Sequence, residues 1–437
     1  MNKIPKGYKQ TDIGVIPAEW DVRSLKELFE LKNGVNTDKR NYGFGIKFIN
    51  VLEVIKKDIL YYEDIPGFIS LSSGTIKNYL VKKGDILFNR TSETQEEIGL
   101  TAVYFDDKEV VFGGFVIRGR PIDNSINHSY SKYAFSSKIV RKEIIKRGQG
   151  VIRANIGQGD LYKVQIPLPP LSEQSAIAEA LSDVDGLISA LDGLIAKKRN
   201  IKQGTMQELL TGKRRLPGLS KSGKYKKTEV GILPEDWLTC DFIDSVGKYI
   251  DYRGRTPKKM GMGWGGGEIL ALSANNVEMG KINLEKEANY CSEILYKKWM
   301  QHGDCENGDV LLTMEAPLGN VAQIPDNNKY VLSQRVLLIR PNVFILKDYF
   351  SYFLKSKYFQ NQLIINSSGT TAQGIQRKKL DKIRIFYPSS ILEQSAIAAI
   401  LSDMDAEIEQ LEHKRDKYKQ AKQGMMQELL TGKTRLI

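Results

Sequence analysis

The sequence LSEQSAIAEALSDVDGLISALDGLIAKKRNIKQGTMQELLTGKRRL, residues 171–216, returns later as ILEQSAIAAILSDMDAEIEQLEHKRDKYKQAKQGMMQELLTGKTRL, residues 391–436. About 26 of the 46 aligned positions are identical, which indicates an internal repeat. A second repeat opens each half, because Tyr8–Trp20 returns as Tyr225–Trp237. The chain is therefore predicted to contain a globular domain over 1–170, a long helix over 171–216, a second globular domain over 217–389 and a second long helix over 390–437.

Apolar residues recur every three or four positions along both copies, a heptad seam of the kind that pairs helices. The seam comprises Ile177, Leu181, Val184, Ile188, Leu191 and Ile195 in the first copy, and Ile397, Leu401, Met404, Ile408 and Leu411 in the second. Gly212 and Gly432 are predicted to end the two helices in the left-handed conformation. Ser390 and Glu393 have the spacing of a capping box at the start of the second helix. The two helices are predicted to pair with each other as an antiparallel coiled coil, so that the chain has pseudo-twofold symmetry.

Two alternatives remain open for these helices. Each could lie on its own globular domain as an ordinary amphipathic helix, or the two could pair between chains and make a dimer. If they pair within one chain, about 40 residues at 1.5 Å per residue give a rod of about 60 Å. Such a rod would separate the globular domains by a fixed distance.

Both globular domains carry short runs rich in β-branched and aromatic residues, such as 85–88 and 115–118 in the first and 309–312 and 336–340 in the second. Helical spacing appears over 130–146 and 347–362. The fold class is therefore predicted to be α+β, a mixture of helices with a modest sheet.

The chain carries 64 Lys and Arg against 52 Asp and Glu, a formal charge of +12 that suits a polyanionic partner. Basic and amide side chains are concentrated in predicted loops, and these are the side chains that read base edges and hold phosphates in DNA. Each single loop could equally be a solvated charged surface. The candidate DNA-binding residues are Asn89, Arg90, Thr91, Arg118, Arg120, Arg153, Asn155 and Gln158 in the first domain, and Arg253, Arg255, Lys258, Lys259, Gln373, Gln376 and Arg377 in the second.

No motif predicts catalysis by this chain. Residues 261–266 read GMGWGG, but they follow Pro257-Lys258-Lys259-Met260 instead of an apolar strand, so a flexible loop is favoured over a dinucleotide site. Cys291, His302 and Cys305 lack the spacing of a zinc site. No Asn/Asp-Pro-Pro-aromatic tetrad of an adenine methyltransferase is present. We therefore expect neither a metal site nor catalytic residues.

The chain has three cysteines, a small and odd number that does not suit a disulfide framework, and it has no run of 18 apolar residues. These features predict a cytoplasmic protein that does not associate with membranes.

The whole chain resembles the specificity (S) subunit of a type I DNA restriction-modification system. The resemblance lies in Pro167-Leu168-Pro169-Pro170-Leu171-Ser172-Glu173-Gln174 before the first long helix, in the Gln-Glu-Leu-Leu-Thr-Gly-Lys that ends both helices, and in the duplicated layout. It is supported by the repeated Gly-Asp-[Ile/Val]-Leu at 84–87 and 308–311. Ser389-Ser390-Ile391-Leu392 replaces the usual Pro-Pro-Leu spelling in the second half.

The resemblance implies that 1–170 and 217–389 are target-recognition domains, each reading one half of a bipartite DNA sequence. It implies that the helices set the spacing and dock two methyltransferase (modification) subunits, with restriction (translocase/nuclease) subunits as an optional further pair. S-adenosylmethionine, ATP and Mg would be cofactors of those partners, and this chain would hold none. The alternative function is a protein scaffold with two interaction domains on a coiled coil and no DNA target; a self-sufficient enzyme is a third hypothesis.

Overall fold

The computed structural model describes residues 4–150, 153–219, 223–252, 254–286, 289–333, 335–369 and 373–436. The chain divides into two compact units. Unit 1 comprises Met1–Asp192 with His413–Ile437, and unit 2 comprises Gly193–Glu412. The division passes through both long helices, so each unit contains a segment of each helix.

Unit 1 is a mixture of small sheets and short helices. Its strands are β1 (Tyr8–Thr11), β2 (Gly14–Pro17), β3 (Asp21–Ser24), β4 (Phe29–Asn33), β5 (Tyr42–Ile49), β6 (Ile59–Leu60), β7 (Phe68–Ile69), β8 (Ile86–Asn89), β9 (Thr91–Ser92), β10 (Thr101–Tyr104), β11 (Val111–Phe112), β12 (Val116–Pro121), β13 (Ala154–Asn155) and β14 (Gln165–Leu168). Its helices are α1 (Leu25–Leu28), α2 (Val51–Lys56), α3 (Ser73–Tyr79), α4 (His128–Ala134), α5 (Lys138–Ile145), α6 (Gln158–Leu161), the first part of α7 (Leu171–Leu209) and the last part of α12 (Ile391–Leu429).

Unit 2 repeats this plan. Its strands are β15 (Tyr225–Thr228), β16 (Gly231–Pro234), β17 (Trp237–Asp241), β18 (Val246–Asp251), β19 (Ile269–Leu272), β20 (Val277–Glu278), β21 (Lys281–Ile282), β22 (Asn289–Cys291), β23 (Val310–Met314), β24 (Leu318–Gln323), β25 (Tyr330–Leu332), β26 (Val336–Pro341) and β27 (Arg384–Pro388). Its helices are the rest of α7, then α8 (Glu293–Trp299), α9 (Lys347–Lys355), α10 (Lys357–Asn366), α11 (Arg377–Leu380) and the first part of α12 (Ile391–Leu429).

The main sheets of the two units share four strands in the same order, and unit 1 adds a fifth, β6, at one edge. In unit 1 the main sheet has the order β4-β12-β8-β10-β6, and in unit 2 the order is β18-β26-β23-β24. A smaller sheet accompanies each, β11-β5-β7 in unit 1 and β22-β19-β25 in unit 2. The predicted α+β class is confirmed, and the duplication extends into the globular parts where the sequences had diverged.

A buried ion pair lies at the same place in both main sheets. Arg120 donates to both carboxylate oxygens of Asp85, from Nε at 2.9 Å and from Nη2 at 2.6 Å. Arg340 does the same to Asp309, at 2.9 and 2.7 Å. Both carboxylates are buried, and the hydrogen bonds that Arg120 donates to Asp85 raise the pKa of the Arg120 guanidinium. The repeated Gly-Asp-[Ile/Val]-Leu motif therefore builds the sheet.

The two long helices pair inside each unit. In unit 1, α7 and α12 are joined by Asp185 with Lys422 at 2.6 Å and by Asp192 with Arg415 at 3.3 Å. In unit 2, Lys198 pairs with Glu407 at 2.6 Å, and Lys202 pairs with Asp405. Numbers rise along one helix as they fall along the other, so the pairing is antiparallel. The predicted helix pair is confirmed, and the pairing is within one chain.

Apolar burial accompanies these ion pairs. Ile177, Leu181, Leu191, Ile195, Ile397, Leu401 and Ile408 are buried, and Val184, Ile188, Met404 and Leu411 are half-buried. In unit 1 the start of α7 and the end of α12 join one core with the sheet and with Trp20. In unit 2 the end of α7 and the start of α12 do the same around Trp237. The seam therefore continues directly into the core of each globular part.

Each unit is closed by an arginine that follows the end of one helix and meets a glutamate at the start of the other. Arg435 donates to Glu173 from Nε at 2.6 Å and from Nη2 at 2.8 Å. Arg215 donates to Glu393 at 2.7 and 2.9 Å. Both glutamates are buried. Glu393 is thus engaged by Arg215, while the Ser390 hydroxyl of the predicted capping box accepts from the Glu393 amide at 3.5 Å.

The glycines predicted to end the long helices also account for the repeated Gly-Lys and Pro-x-x-Trp motifs. Gly432 has φ 69°, and Gly212 has φ 67°. A Cβ at Gly432 would lie 2.3 Å from Pro17 Cγ and 3.2 Å from the ring of Trp20. The Gly-Lys ending of each helix is therefore paired in space with the Pro-x-x-Trp opening of the domain in the same unit.

Two predicted helices are each broken in two. The helical spacing over 130–146 covers α4 and α5, and the spacing over 347–362 covers α9 and part of α10. Ser137 and Ser356 interrupt them, and each serine side chain caps the following helix. Helices are present in both segments as the spacing indicated, and each is divided because a serine favours an N-cap over the helix interior. Among the described residues, no helix is long and apolar enough to cross a membrane.

Candidate nucleic-acid interface

In unit 1, several candidate residues meet where β8 ends. The short strands β9 and β13 pair antiparallel, with Thr91 opposite Asn155. The Thr91 hydroxyl donates to Asn155 Oδ1 at 2.7 Å. The amide of Ile156 donates to the carbonyl of Arg90 at 3.0 Å, which fixes the returning loop to the strand end. Arg90, Thr91 and Asn155, distant in sequence, therefore form one surface.

Arg90 is also bonded to a tight turn before β12. Its amide donates to the Phe115 carbonyl at 2.9 Å, and its Nη1 donates to the Gly114 carbonyl at 3.3 Å. Phe115 itself is 59% exposed. A large aromatic ring therefore stands in solvent beside the predicted basic and amide residues, although sequence reasoning assigned it only to a strand.

Unit 2 has the same construction at the end of β23. The backbone of Gly374 forms isolated antiparallel β-bridges with Glu315 and with Ser368. In unit 1, Gln149 and Asn155 form the β-bridge that matches the one between Ser368 and Gly374. The amide of Ile375 donates to the Met314 carbonyl at 3.1 Å. The strand end and the returning loop enclose a cavity of about 330 Å³, whose lining includes Glu315, Arg335 and Gln376. Arg335 occupies the position of Phe115, immediately before the matching strand β26.

The candidate residues differ in exposure. Arg153, Asn155, Lys258, Lys259, Gln373 and Gln376 are exposed, whereas Arg90, Thr91, Arg120, Gln158, Arg255 and Arg377 are half-buried. Asn89 and Arg118 are buried. Arg253 lies outside the described residues. The exposed set is directly accessible to a nucleic acid.

The two buried candidates hold the protein together. Asn89 Nδ2 donates to the Glu97 carbonyl at 3.0 Å, and its Oδ1 accepts from the Thr91 amide at 3.1 Å. Arg118 Nη1 donates to the Leu80 carbonyl at 2.7 Å, and burial lowers the pKa of its guanidinium. Arg120 is engaged by Asp85, as described above. The buried Asn89 side chain therefore fixes the backbone at the strand end, and Arg118 and Arg120 lie within the sheet.

The candidates of unit 2 fall in separate places. Gln373 and Gln376 belong to the returning loop. Arg255 belongs to another loop, where its Nη1 donates to the Trp299 carbonyl at 2.8 Å and its Nη2 lies 3.0 Å from His302 Nε2. A smaller cavity of about 240 Å³ there is lined by Arg255 and Trp264, among others. Lys258 and Lys259 follow in a short turn at Pro257–Met260.

Arg377 is in contact with one aromatic and two acidic side chains of unit 2. Its guanidinium lies 3.4 Å from the centre of the Tyr249 ring, and its Nε donates to Asp381 at 2.9 Å. Asp251 lies 3.7 Å from its Nη1. This aromatic and acidic setting orients Arg377 and leaves less of its charge for an outside ligand.

Sequence reasoning missed Phe115, Glu315 and Arg335. Phe115 lies in a predicted strand and Arg335 immediately precedes one, and residues at such positions are ordinarily assigned to packing. The signal that could have found them is the alignment of the two halves, since Phe115 and Arg335 both precede a Val that begins the matching strand.

Comparison with known proteins gives a consistent result. The model of the family "Type I restriction modification DNA specificity domain" matches residues 17–198 and 234–418. A chain of Methanocaldococcus jannaschii described as the type I restriction enzyme MjaX specificity subunit is 31% identical over 443 residues, covering 99% of this chain and 97% of the relative.

Two solved structures share the fold. The type I restriction-modification S subunit from M. genitalium superposes with a TM-score of 0.54 at 15% identity, covering 98% of this chain and 97% of that chain. A chain from a structural study of complex assembly and conformational transition of the type I R-M system gives 0.56 at 15% identity, covering 96% and 99%. Two matches to one family model and a full-length relative establish that the chain belongs to the family of type I restriction-modification DNA specificity subunits.

Proposed function

We propose that each unit reads one half of a bipartite DNA target with the surface formed by its strand end and returning loop. The observation that carries the proposal is that one frame is built twice with different side chains at the matching positions, of which Phe115 and Arg335 are exposed. Arg90, Thr91 and Phe115 in unit 1 are replaced by Met314, Glu315 and Arg335 in unit 2. An identical frame with unlike side chains is what two unlike half-sites require, because base edges are distinguished by donor and acceptor patterns.

Exposed basic side chains near these surfaces would supply the sequence-independent part of binding. Arg153 is exposed on the returning loop of unit 1, Lys258 is exposed on a separate loop of unit 2, and the chain as a whole has a formal charge of +12. Contacts of such residues to phosphates release counterions, so binding should weaken steeply with salt. Phosphate contacts would set the register of the protein on the duplex, and the strand-end side chains would read the bases.

We further propose that the antiparallel pair of α7 and α12 sets the spacing between half-sites and docks two methyltransferase subunits. Support comes from the M. jannaschii relative, described as a subunit of a restriction enzyme, and from the solved relative studied for complex assembly. Catalysis would then lie in the partners. Those partners would use S-adenosylmethionine for methyl transfer, with ATP and Mg in any restriction subunits.

The test pairs one exposed residue from each unit in the complex assembled with its methyltransferase partners. Arg153→Ala should weaken binding to duplexes through the first half-site, and Gln376→Ala through the second, each by roughly tenfold, the scale of one good contact to DNA. Competition gel shifts against duplexes with one half-site scrambled assign each loss to a half-site. Lys297→Ala, a surface change on α8, is the matched control and should leave both half-sites unaffected.

Two results would contradict the proposal. One is an equal loss at both half-sites for either variant, which is incompatible with independent reading units. The other is the absence of any bipartite methylated motif when methylated adenines are mapped by long-read sequencing in cells that express the wild-type complex.

A further inference from the structure

Glu315 and Arg335 line the same cavity at the end of β23. Within the described part of the chain, neither the Glu315 carboxylate nor the Arg335 guanidinium has an ion-pair or hydrogen-bond partner. Other charged groups of the same sheet are paired, as Arg340 with Asp309 at 2.7 Å shows. A carboxylate and a guanidinium that share a cavity and are both unpaired leave their hydrogen-bonding groups available for a ligand.

The backbone holds Arg335 in an unusual conformation. Its φ is 73°, in the left-handed region that side chains other than glycine rarely adopt. Its carbonyl accepts from the Met314 amide at 2.8 Å, which fixes the turn against the strand end. Such conformations are retained mainly where the surrounding structure imposes them, and they are concentrated at ligand sites. The turn therefore fixes the point at which the exposed Arg335 side chain leaves the backbone.

Glu315 is held by the returning loop. A Cβ added to Gly374 would lie 3.2 Å from Glu315 Cγ, so the glycine lets the loop close over the glutamate side chain. The unit 1 residue matching Gly374 is Asn155, whose amide group is bonded to Thr91 instead. The same backbone position therefore carries a carboxylate in unit 2, at Glu315, and a hydroxyl in unit 1, at Thr91.

An acid at a DNA surface needs a specific reason, because its charge repels phosphates. A carboxylate gains from DNA only where it accepts a hydrogen bond from a base, and in the major groove the amino group of cytosine N4 is such a donor. Guanine presents the O6 and N7 acceptors that an arginine fork matches. Arg335 and Glu315 together complement the two bases of one G·C pair.

We propose that unit 2 reads a G·C base pair at this cavity, with Arg335 on guanine and Glu315 on cytosine. The proposal rests on the DNA-reading function proposed above and adds the identity of one base pair to it. In unit 1, Phe115 and Thr91 occupy the matching positions, so the first half-site is not read by the same chemistry.

Variants at position 335 separate specificity from folding. Arg335→Gly removes the side chain and suits the positive φ, so the turn is retained. Arg335→Lys keeps the charge but loses the two-pronged geometry. Each should reduce the preference for G·C over A·T at one position of the second half-site by roughly 10- to 100-fold, while Arg335→Lys keeps the salt dependence of the wild type. Glu315→Gln should relax the same position.

The measurement is binding of the assembled complex to a duplex library randomised at each position of the second half-site, together with long-read mapping of methylated adenines. Lys297→Ala is the control for loss of a surface charge and should keep the wild-type motif. The proposal is overturned if the second half-site contains no G·C pair, or if Arg335→Gly retains every base preference. Either result can occur with a bipartite motif intact, so it is distinguishable from failure of the DNA-reading function itself.

Discussion

The two units keep the same interior and differ at their strand ends. Asp85 with Arg120 in unit 1 and Asp309 with Arg340 in unit 2 are the same pair in the same sheet. A few residues later along each strand the side chains share nothing in charge or shape. The side chains begin to differ at Asn89 and Thr313, which are both buried, and in unit 2 the next residue, Met314, still belongs to the core.

This contrast shows how the fold allows recognition to change without loss of stability. The buried pairs and the glutamate–arginine closures fix the backbone of each strand end. Phe115 and Arg335 are exposed at the matching turns, and changes at such surface positions usually alter stability little. A duplicated frame of this kind can diverge at one surface while its interior stays the same.

Breaking the constant pair should have the largest effect. Asp85→Ala and Asp309→Ala each leave a guanidinium without its carboxylate, at an expected cost of about 3–5 kcal/mol in the free energy of unfolding. Asp85→Ala should cost more, because Arg118 is buried beside Asp85, while Arg340 and Lys347 around Asp309 are partly open to water. Urea unfolding measures the loss, and hydrogen exchange shows which unit is affected.

The control replaces Asp309 together with both of its cationic partners, Arg340 and Lys347. Asp309→Leu combined with Arg340→Met and Lys347→Met removes all three charges and should recover most of the loss. If stability is not recovered, the ion pairs of Asp309 are not what stabilises the sheet. Acid gives a second check. Burial alone would raise the pKa of Asp309, but hydrogen bonds from Arg340 and Lys347 hold that pKa below its ordinary value. Its stabilisation is therefore present above about pH 4 and lost as the pH falls through the folded value, so Asp309→Ala should flatten that part of the stability profile.

A second prediction concerns a difference between the two glutamate–arginine closures at their tryptophans. Trp20 Nε1 donates to Glu173 at 2.8 Å, whereas the matching Trp237 Nε1 is buried with no hydrogen-bond partner found in the described part of the chain. Trp20→Phe and Trp237→Phe remove similar volume. Trp20→Phe should therefore cost about 1.5–3 kcal/mol more, the value of a hydrogen bond to a charged group. Thermal unfolding with hydrogen exchange measures it, and equal losses would show that the Trp20 bond contributes nothing.

The helices were predictable from sequence because their signals are local. The seam from Ile177 to Ile195 repeats every three or four residues, and the glycine terminators are marked by composition alone. The duplicated words also predicted the layout, although not why Gly432 must be a glycine. That reason is contact with Pro17 and Trp20, which lie at the other end of the chain.

The strand-end surface was only partly predictable. Arg90, Thr91 and Asn155 were chosen as loop residues and are brought together in space, and their role in DNA binding stays a prediction. Arg118 and Arg120 were chosen by the same rule, yet they are engaged in the sheet. Local charge cannot show a partner such as Asp85, which is 35 residues away from Arg120. Arg335 was overlooked because a residue next to a strand is ordinarily assigned to packing.

The smallest effect sharpens the comparison of the two long helices. Gly186 of α7 is replaced in the repeat by Ala406 of α12. Gly186 is exposed, and a Cβ built there meets nothing within 4 Å. Because glycine loses more backbone freedom than alanine when a helix forms, Gly186→Ala should stabilise the isolated chain by about 0.5–1 kcal/mol, and Ala406→Gly should destabilise it by about the same amount. Thermal unfolding of the isolated chain measures both. If Gly186→Ala stabilises the chain but weakens assembly with the methyltransferase subunits, the glycine is retained for close approach of a partner; if it destabilises the isolated chain, the exposed position has a neighbour that the helix pair does not show.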